Sequence, residues 1–127
     1  VSEREFQAER GGQWIKGKSA PSFAPIGPYF VTTDEIDDPQ NLGVELSLNG
    51  KTVQKSNTSD MIFSIAQIIS YMTRFMKLRT GDIIATGTPS GVGMGMKPQR
   101  FLKAGDIMEI EVERCGRQRQ KAVNYKD

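Results

Sequence analysis

The sequence predicts an α+β chain, rich in strands and carrying one substantial helix. Three observations predict it: a hairpin pattern near the middle, an apolar stripe at helical spacing after it, and a turn-to-strand element that occurs twice. In the hairpin, Val44, Leu46 and Leu48 alternate with Glu45 and Ser47, and Asn49-Gly50 supplies a two-residue turn before Lys51-Thr52-Val53-Gln54. Thr58 or Ser59 then caps a helix running to about Lys77. Its Ile62, Ile65, Ile69, Met72 and Met76 recur at spacings of 3 and 4 and read as core, with Ser64, Gln67, Ser70 and Arg74 on the other side. The repeated element has the form Leu-x-x-Gly-Asp-Ile, at Leu78–Ile83 and again at Leu102–Ile107. Each copy is a turn that launches a strand, Ile83 to Ala85 in the first case. In the second, Met108, Ile110 and Val112 alternate with Glu109, Glu111 and Glu113.

The remaining segments are less regular. Residues 1–13 read as a short charged helix, capped by Ser2 with Glu5 three positions on and ended by Gly11 and Gly12. Pro21, Pro25 and Pro28 force an extended or looped stretch. Tyr29 to Thr33 is a strand by residue type, closed by the acidic turn Asp34–Pro39.

Bulk properties exclude several function classes. The 127 residues suit one domain, and 37% hydrophobic with 25% charged residues is ordinary for a soluble globular protein. A net charge of +2, with basic residues scattered among acids, argues against nucleic acid and against an acidic membrane surface. The sequence holds no apolar stretch of membrane-spanning length. One cysteine, Cys115, makes no internal disulfide, and a reducing cytoplasm is the natural setting. The absence of histidine excludes imidazole chemistry within these residues and, with a single Cys, excludes a tetrahedral zinc shell. A metal here needs carboxylates and is then a hard ion such as Mg²⁺ or Ca²⁺. Val1 in place of an initiating Met hints at residues upstream.

Two loops carry candidate chemistry. Gly12–Ser19, Gly-Gln-Trp-Ile-Lys-Gly-Lys-Ser, fits the phosphate-loop pattern G-x-x-x-x-G-K-[ST]. That mechanism needs an apolar strand before the loop and a helix after it. The preceding segment is charged, and the Pro21 and Pro25 segment cannot form the helix, so the match reads as accidental. Residues 86–95, Thr-Gly-Thr-Pro-Ser-Gly-Val-Gly-Met-Gly, follow a strand but miss the dinucleotide fingerprint in glycine spacing and in the Pro98 that follows. They are either a loop whose backbone approaches a ligand, with Thr86 or Thr88 presenting a hydroxyl, or a plain turn.

Five separated motifs occur here in one order. They are Val1-Ser2-Glu3-Arg4-Glu5-Phe6-Gln7; Trp14 to Ser19; Ile26-Gly27-Pro28-Tyr29; Asn57-Thr58 through Met61-Ile62-Phe63; and Gly81 to Gly93. Together they resemble the fumarylacetoacetate hydrolase superfamily, over nearly all 127 residues. Glu9-Arg10-Gly11-Gly12 and Gly93 to Pro98 look most like the ureidoglycolate lyase branch, which is similar to diketo-deoxy-sugar-acid hydrolases.

The resemblance implies a mixed β-roll with one main helix packed on the sheets, a homodimer, and residues 1–127 as the C-terminal portion of one catalytic domain. It implies a hydrolase or lyase that uses Mg²⁺ (or Mn²⁺) on a small 2-oxo, ureido or hydroxy acid, with the metal stabilising enolate-type charge. Carried over by position, Lys18 neutralises substrate or oxyanion charge and Gln7 hydrogen-bonds substrate. Arg4 borders the site, and Thr88 with Gly87 meets a carboxylate or oxo group. The family's metal-ligating carboxylates and its lid are expected upstream of Val1, so no metal ligand is assigned within residues 1–127, which alone are expected to be inactive. Pro21-Ser22 also stands where relatives usually have Asp-Thr. Competing expectations are a non-catalytic scaffold of the same fold, and an isomerase or decarboxylase of the 2-hydroxymuconate type.

Overall fold

The computed structural model describes residues 1–125. Its centre is one antiparallel sheet in the order β2-β1-β3-β4, built from Gly43–Leu48 (β1), Lys51–Asn57 (β2), Ile107–Val112 (β3) and Gly116–Lys121 (β4). With one main helix, Ile65–Met72 (α1), this is the α+β architecture that the sequence predicts. The Asn49-Gly50 hairpin forms as read, with φ of 52° and 79° at the two turn residues. That pair of left-handed residues matches the right-handed twist of the flanking strands. A register shift between Leu46 and Ser47 leaves Val53 of β2 unpaired, a bulge.

Period-2 alternation gives the sheet two faces. On one, Val44, Leu46 and Leu48 of β1 lie beside Val112, Ile110 and Met108 of β3. On the other, Glu45 pairs with Lys55 at 3.1 Å and Glu109 with Arg117 at 3.2 Å. One row across the apolar face reads Gln54, Leu46, Ile110, Gln118. A glutamine therefore stands on each edge strand, and each reaches out to hold a loop. Gln54 bonds the 88–90 segment, and Gln118 donates to the Gly27 carbonyl.

The two Leu-x-x-Gly-Asp-Ile copies fold into the same turn. Asp82 accepts from the Arg79 N–H at 2.7 Å and Asp106 from the Lys103 N–H at 2.9 Å, with Gly81 and Gly105 at φ 94° and 98°. Only the second copy launches a paired strand. Its Asp106 also accepts from Asn49 of the hairpin turn at 2.8 Å, and Asn49 accepts from the Ile107 N–H. Ile83–Ala85, by contrast, has no strand beside it among the described residues.

Other elements differ from the sequence reading. The N-terminal helix is a single π-helical turn, Glu5–Glu9, with Arg4 and not Ser2 at its cap. Glu3 reaches the Glu5 N–H instead. Tyr29–Thr33 forms no strand; the Tyr29 ring lies against Gly116, the first residue of β4. The long helix is split into a 3-10 turn, Thr58–Asp60, and α1, because two capping boxes compete for the same stretch. Asn57 with Asp60 caps the start of the first, and Ser64 with Gln67 caps the start of the second. The expected core stripe is not buried within these residues: Ile62 is 90% exposed and Met76 52%. Strand β4 escaped the sequence reading, because Arg117, Gln118, Arg119 and Gln120 carry no apolar alternation.

Three carboxyls, two that hold turns and one that bridges β1 to β2, sit below their ordinary pKa. Hydrogen bonds do this at each: from Asn49 and the Lys103 N–H to Asp106, from Ser56 and the Asn57 N–H to Asp60, and from Thr52 and Lys55 to Glu45. A carboxyl with a lowered folded pKa stabilises the fold above its unfolded value and loses that contribution as pH falls towards the folded one. The thermal midpoint is therefore expected to hold from pH 7 to about 5 and to drop below about 4. Calorimetric scans check this, and Asp106→Asn is expected to flatten the drop.

Candidate active site

Two clusters gather the residues singled out from the sequence. The first joins the π-helical turn to the 3-10 turn Trp14–Gly17. The Glu3 N–H donates to the Gly17 carbonyl at 2.9 Å, and Gly17 is buried. A Cβ on Gly17 would meet both the Gln7 Cβ and the Glu3 carbonyl oxygen at 2.5 Å. Only glycine lets the two turns close to this distance, and Lys18 follows directly on the residue that packs against Gln7. Sequence reasoning missed Gly17; its signal was a glycine directly before the cationic residue of the motif.

Gln7 is 2% exposed, and its Oε1 accepts from the Arg4 Nη1 at 2.6 Å. Its Nε2 is buried with no hydrogen-bond partner among the described residues. Such a donor costs about 1–3 kcal/mol until an acceptor from elsewhere satisfies it. Arg4 is the N-cap of the π-helical turn and Lys18 the C-cap of the 3-10 turn packed against it, so both cations belong to the paired turns. The cluster thus combines an amide donor with two cations, which is the chemistry that receives an anionic oxygen.

The second cluster is the glycine-rich loop. Gly87 and Gly91 both adopt φ 104°, and Gly91 lies so close to β2 that a Cβ would collide with the Val53 carbonyl oxygen. The loop is therefore a built feature and not a plain turn. Thr88 is exposed, and its Oγ1 accepts from Gln54 Nε2 at 2.9 Å. Gln54 was missed by sequence reasoning; a polar residue in register with Leu46, on the apolar face, was the available signal. No hydrogen bond among the described residues joins Thr88 or Gly87 to Arg4, Gln7 or Lys18.

The phosphate-loop pattern has no structural counterpart. A 3-10 turn occupies Trp14–Gly17, no strand precedes it and no helix follows it directly among the described residues. Nor is there a group of three or more His, Cys, Asp or Glu side chains placed to hold a metal ion among the described residues. The donors of the first cluster are cationic or amide N–H groups, which do not fit a divalent cation. Isothermal titration of the 127-residue polypeptide with Mg²⁺ is expected to show only the weak binding of exposed carboxylates. A tight single site would contradict that.

Comparison with known proteins agrees with the motif pattern. The sequence profile described as fumarylacetoacetate (FAA) hydrolase C-terminal matches residues 1–123. The chain belongs to the fumarylacetoacetate hydrolase family. It is 50% identical over 127 residues to 2,4-didehydro-3-deoxy-L-rhamnonate hydrolase of Sphingomonas sp. (strain SKA58), covering 99% of this chain and 45% of that protein. The solved fumarylacetoacetate hydrolase of Exiguobacterium antarcticum superposes with a TM-score of 0.93 at 38% identity, over 98% of this chain and 44% of that one. Maleylpyruvate hydrolase of Sphingobium sp. SYK-6, solved with manganese (II) ion and pyruvate, gives 0.78 at 34% identity, over 89% and 40%. The chain thus spans about half the length of the curated relatives it matches. Its four-stranded sheet and single main helix match the C-terminal fold of these family structures. No helix among the described residues is long and apolar enough to cross a membrane.

Proposed function

We propose that the whole protein is a metal-dependent hydrolase or lyase that cleaves a small 2-oxo acid through an enolate-type intermediate. Residues 1–127 are then the C-terminal portion of its catalytic domain. The observation that carries this reading is the buried Gln7 amide, held by Arg4 and with no partner for its Nε2 among the described residues, packed on the Gly17 that precedes Lys18. Lys18 neutralises the negative charge that develops on the substrate oxygen, Gln7 Nε2 donates to an oxygen of the bound acid, and Arg4 keeps the Gln7 side chain turned. Thr88, with the Gly87 backbone, receives the carboxylate.

The metal, Mg²⁺ or Mn²⁺, supplies Lewis acidity towards the acid's oxygens and takes its ligands from residues outside this chain. That assignment agrees with the manganese and pyruvate in the maleylpyruvate hydrolase structure. The substrate class is a 2,4-dioxo sugar acid or a related acylpyruvate, favoured by the half-identical rhamnonate-type hydrolase. A cytoplasmic homodimer completes the reading. A dimer would cover apolar side chains that stand open here, such as Phe30 at 93% exposure.

The test uses the protein expressed from the complete reading frame, with Mn²⁺. Acylpyruvates are assayed for release of pyruvate, and ureidoglycolate for release of glyoxylate. Release of a 2-oxo acid from one of them is expected. A double-bond shift with no cleavage would replace the hydrolase reading by an isomerase, and no turnover at all would favour the scaffold.

A further inference from the structure

Two polar side chains are buried among the described residues, and both are glutamine amides. Gln7 belongs to the cationic cluster. Gln54 stands elsewhere, on edge strand β2, in register with Leu46 on the apolar face of the sheet. It is 8% exposed. A polar residue at such a position is retained at a cost unless its hydrogen bonds are made.

Its bonds point in one direction. Nε2 donates to the Thr88 hydroxyl oxygen at 2.9 Å and to the Pro89 carbonyl at 2.7 Å, with the Ser90 carbonyl at 3.4 Å. Two protons on Nε2 serve the two short bonds. The backbone adds a second restraint, because Gly91 presses on the Val53 carbonyl and lies 3.0 Å, at its missing Cβ, from the Gln54 Cγ. The loop is thus pinned to β2 on both sides of the Val53–Gln54 bulge.

The polarity of the Thr88 bond has a chemical consequence. A threonine hydroxyl has one proton and can donate or accept. Because Gln54 is the donor, Thr88 Oγ1 is the acceptor, and its own proton is left to point away from the sheet. Thr88 itself is exposed.

We infer that Gln54 is a positioning residue that fixes the Thr88 hydroxyl as a donor towards the carboxylate of the bound acid. The inference rests on the proposed role of Thr88 and adds the group that sets its polarity. Gln54 touches no substrate; it acts by holding the loop and by occupying the acceptor side of the hydroxyl. Replacing it by glutamate keeps the shape and reverses the bond, since a carboxylate accepts the Thr88 proton that the ligand needs.

The experiment is a double-variant cycle on the protein from the complete reading frame, loaded with Mn²⁺ and titrated calorimetrically with pyruvate. Wild type, Gln54→Glu, Thr88→Ala and the combined variant are compared. Gln54→Glu is expected to weaken pyruvate binding roughly tenfold or more, the scale of one hydrogen bond to a charged group, with Mn²⁺ affinity unchanged. In the Thr88→Ala background the same change is expected to cost less than about twofold, because coupled groups are non-additive. Equal losses in both backgrounds would mean that Gln54 acts through the fold alone and would overturn the inference, as would no loss. Wild-type affinity in Thr88→Ala would instead sink the role of Thr88 in the parent reading. If Gln54→Glu does not fold, Gln54→Met, uncharged and of similar length, replaces it in the cycle; it removes the donor without reversing the bond, so a smaller loss confined to the Thr88 background is expected, and equal losses in both backgrounds again overturn the inference.

Discussion

Gly91→Ala is expected to cost about 3 kcal/mol of stability or more, measured as a shift of the urea unfolding midpoint at unchanged slope. Two causes add. At φ 104° an L side chain is strained wherever it sits. The new methyl group would also overlap the Val53 carbonyl oxygen, and neither that strand backbone nor the Gln54 Cγ behind it can give way cheaply. Relief requires the loop to lift off β2, which breaks the Gln54 bonds to Thr88 and Pro89. Pyruvate affinity is therefore expected to fall with stability. Gly50→Ala is the control, with φ 79° and nothing within 4 Å of the added carbon. It carries backbone strain alone, about 1–2 kcal/mol. Equal losses at the two positions would show that the loop does not press on the strand.

That contrast marks how far the fold could be read from residues. The hairpin was legible because alternation and Asn49-Gly50 agree on one register. The doubled Leu-x-x-Gly-Asp-Ile element was legible as a turn, and both copies do use their aspartate to accept the N–H three residues earlier. Whether a strand follows was not legible, because pairing depends on a neighbour such as Asn49, 57 positions away from Asp106. The helix was overextended because periodicity counts apolar spacing and ignores Ser64, whose side chain accepts from the Gln67 N–H and starts α1 afresh. Strand β4 was hidden because it contributes charge and not apolar surface. Arg117 and Arg119 of β4 reach Glu109 on β3, a complementarity visible only once the strands are side by side.

The site divides in the same way. Arg4, Gln7, Lys18 and Thr88 are proposed through motifs that occur in a fixed order. Gly17 and Gln54 are not, since each acts by what lies next to it in space. Gly17 matters because Gln7 and Glu3 close over it, and Gln54 because a loop more than thirty residues later folds onto its amide. Side chains that bind are recognisable by type; residues that make room or set polarity are recognisable only by contact.

Lys18→Ala separates the catalytic reading from any structural one. The Lys18 side chain is exposed, and its local bond is the backbone one, from its N–H to the Ile15 carbonyl at 2.9 Å. Alanine keeps that bond, so the thermal midpoint is expected to move by no more than about 0.5 kcal/mol equivalent. Activity is expected to respond very differently. Removing a preorganised cation from the oxygen where charge develops costs about 10²–10³-fold in kcat/KM. Lys18→Arg keeps the charge but spreads it over a planar fork, and is expected to restore only part of that loss. The loss should fall on kcat more than on KM, because the charge on the substrate oxygen grows towards the transition state. The measurement is steady-state release of the 2-oxo acid product by the Mn²⁺-loaded protein from the complete reading frame. Turnover in Lys18→Ala within threefold of wild type would remove Lys18 from the machinery and leave Gln7 and Arg4 as a structural pair. A large loss at unchanged stability leaves the cation with one role: facing the negative charge of the reacting acid.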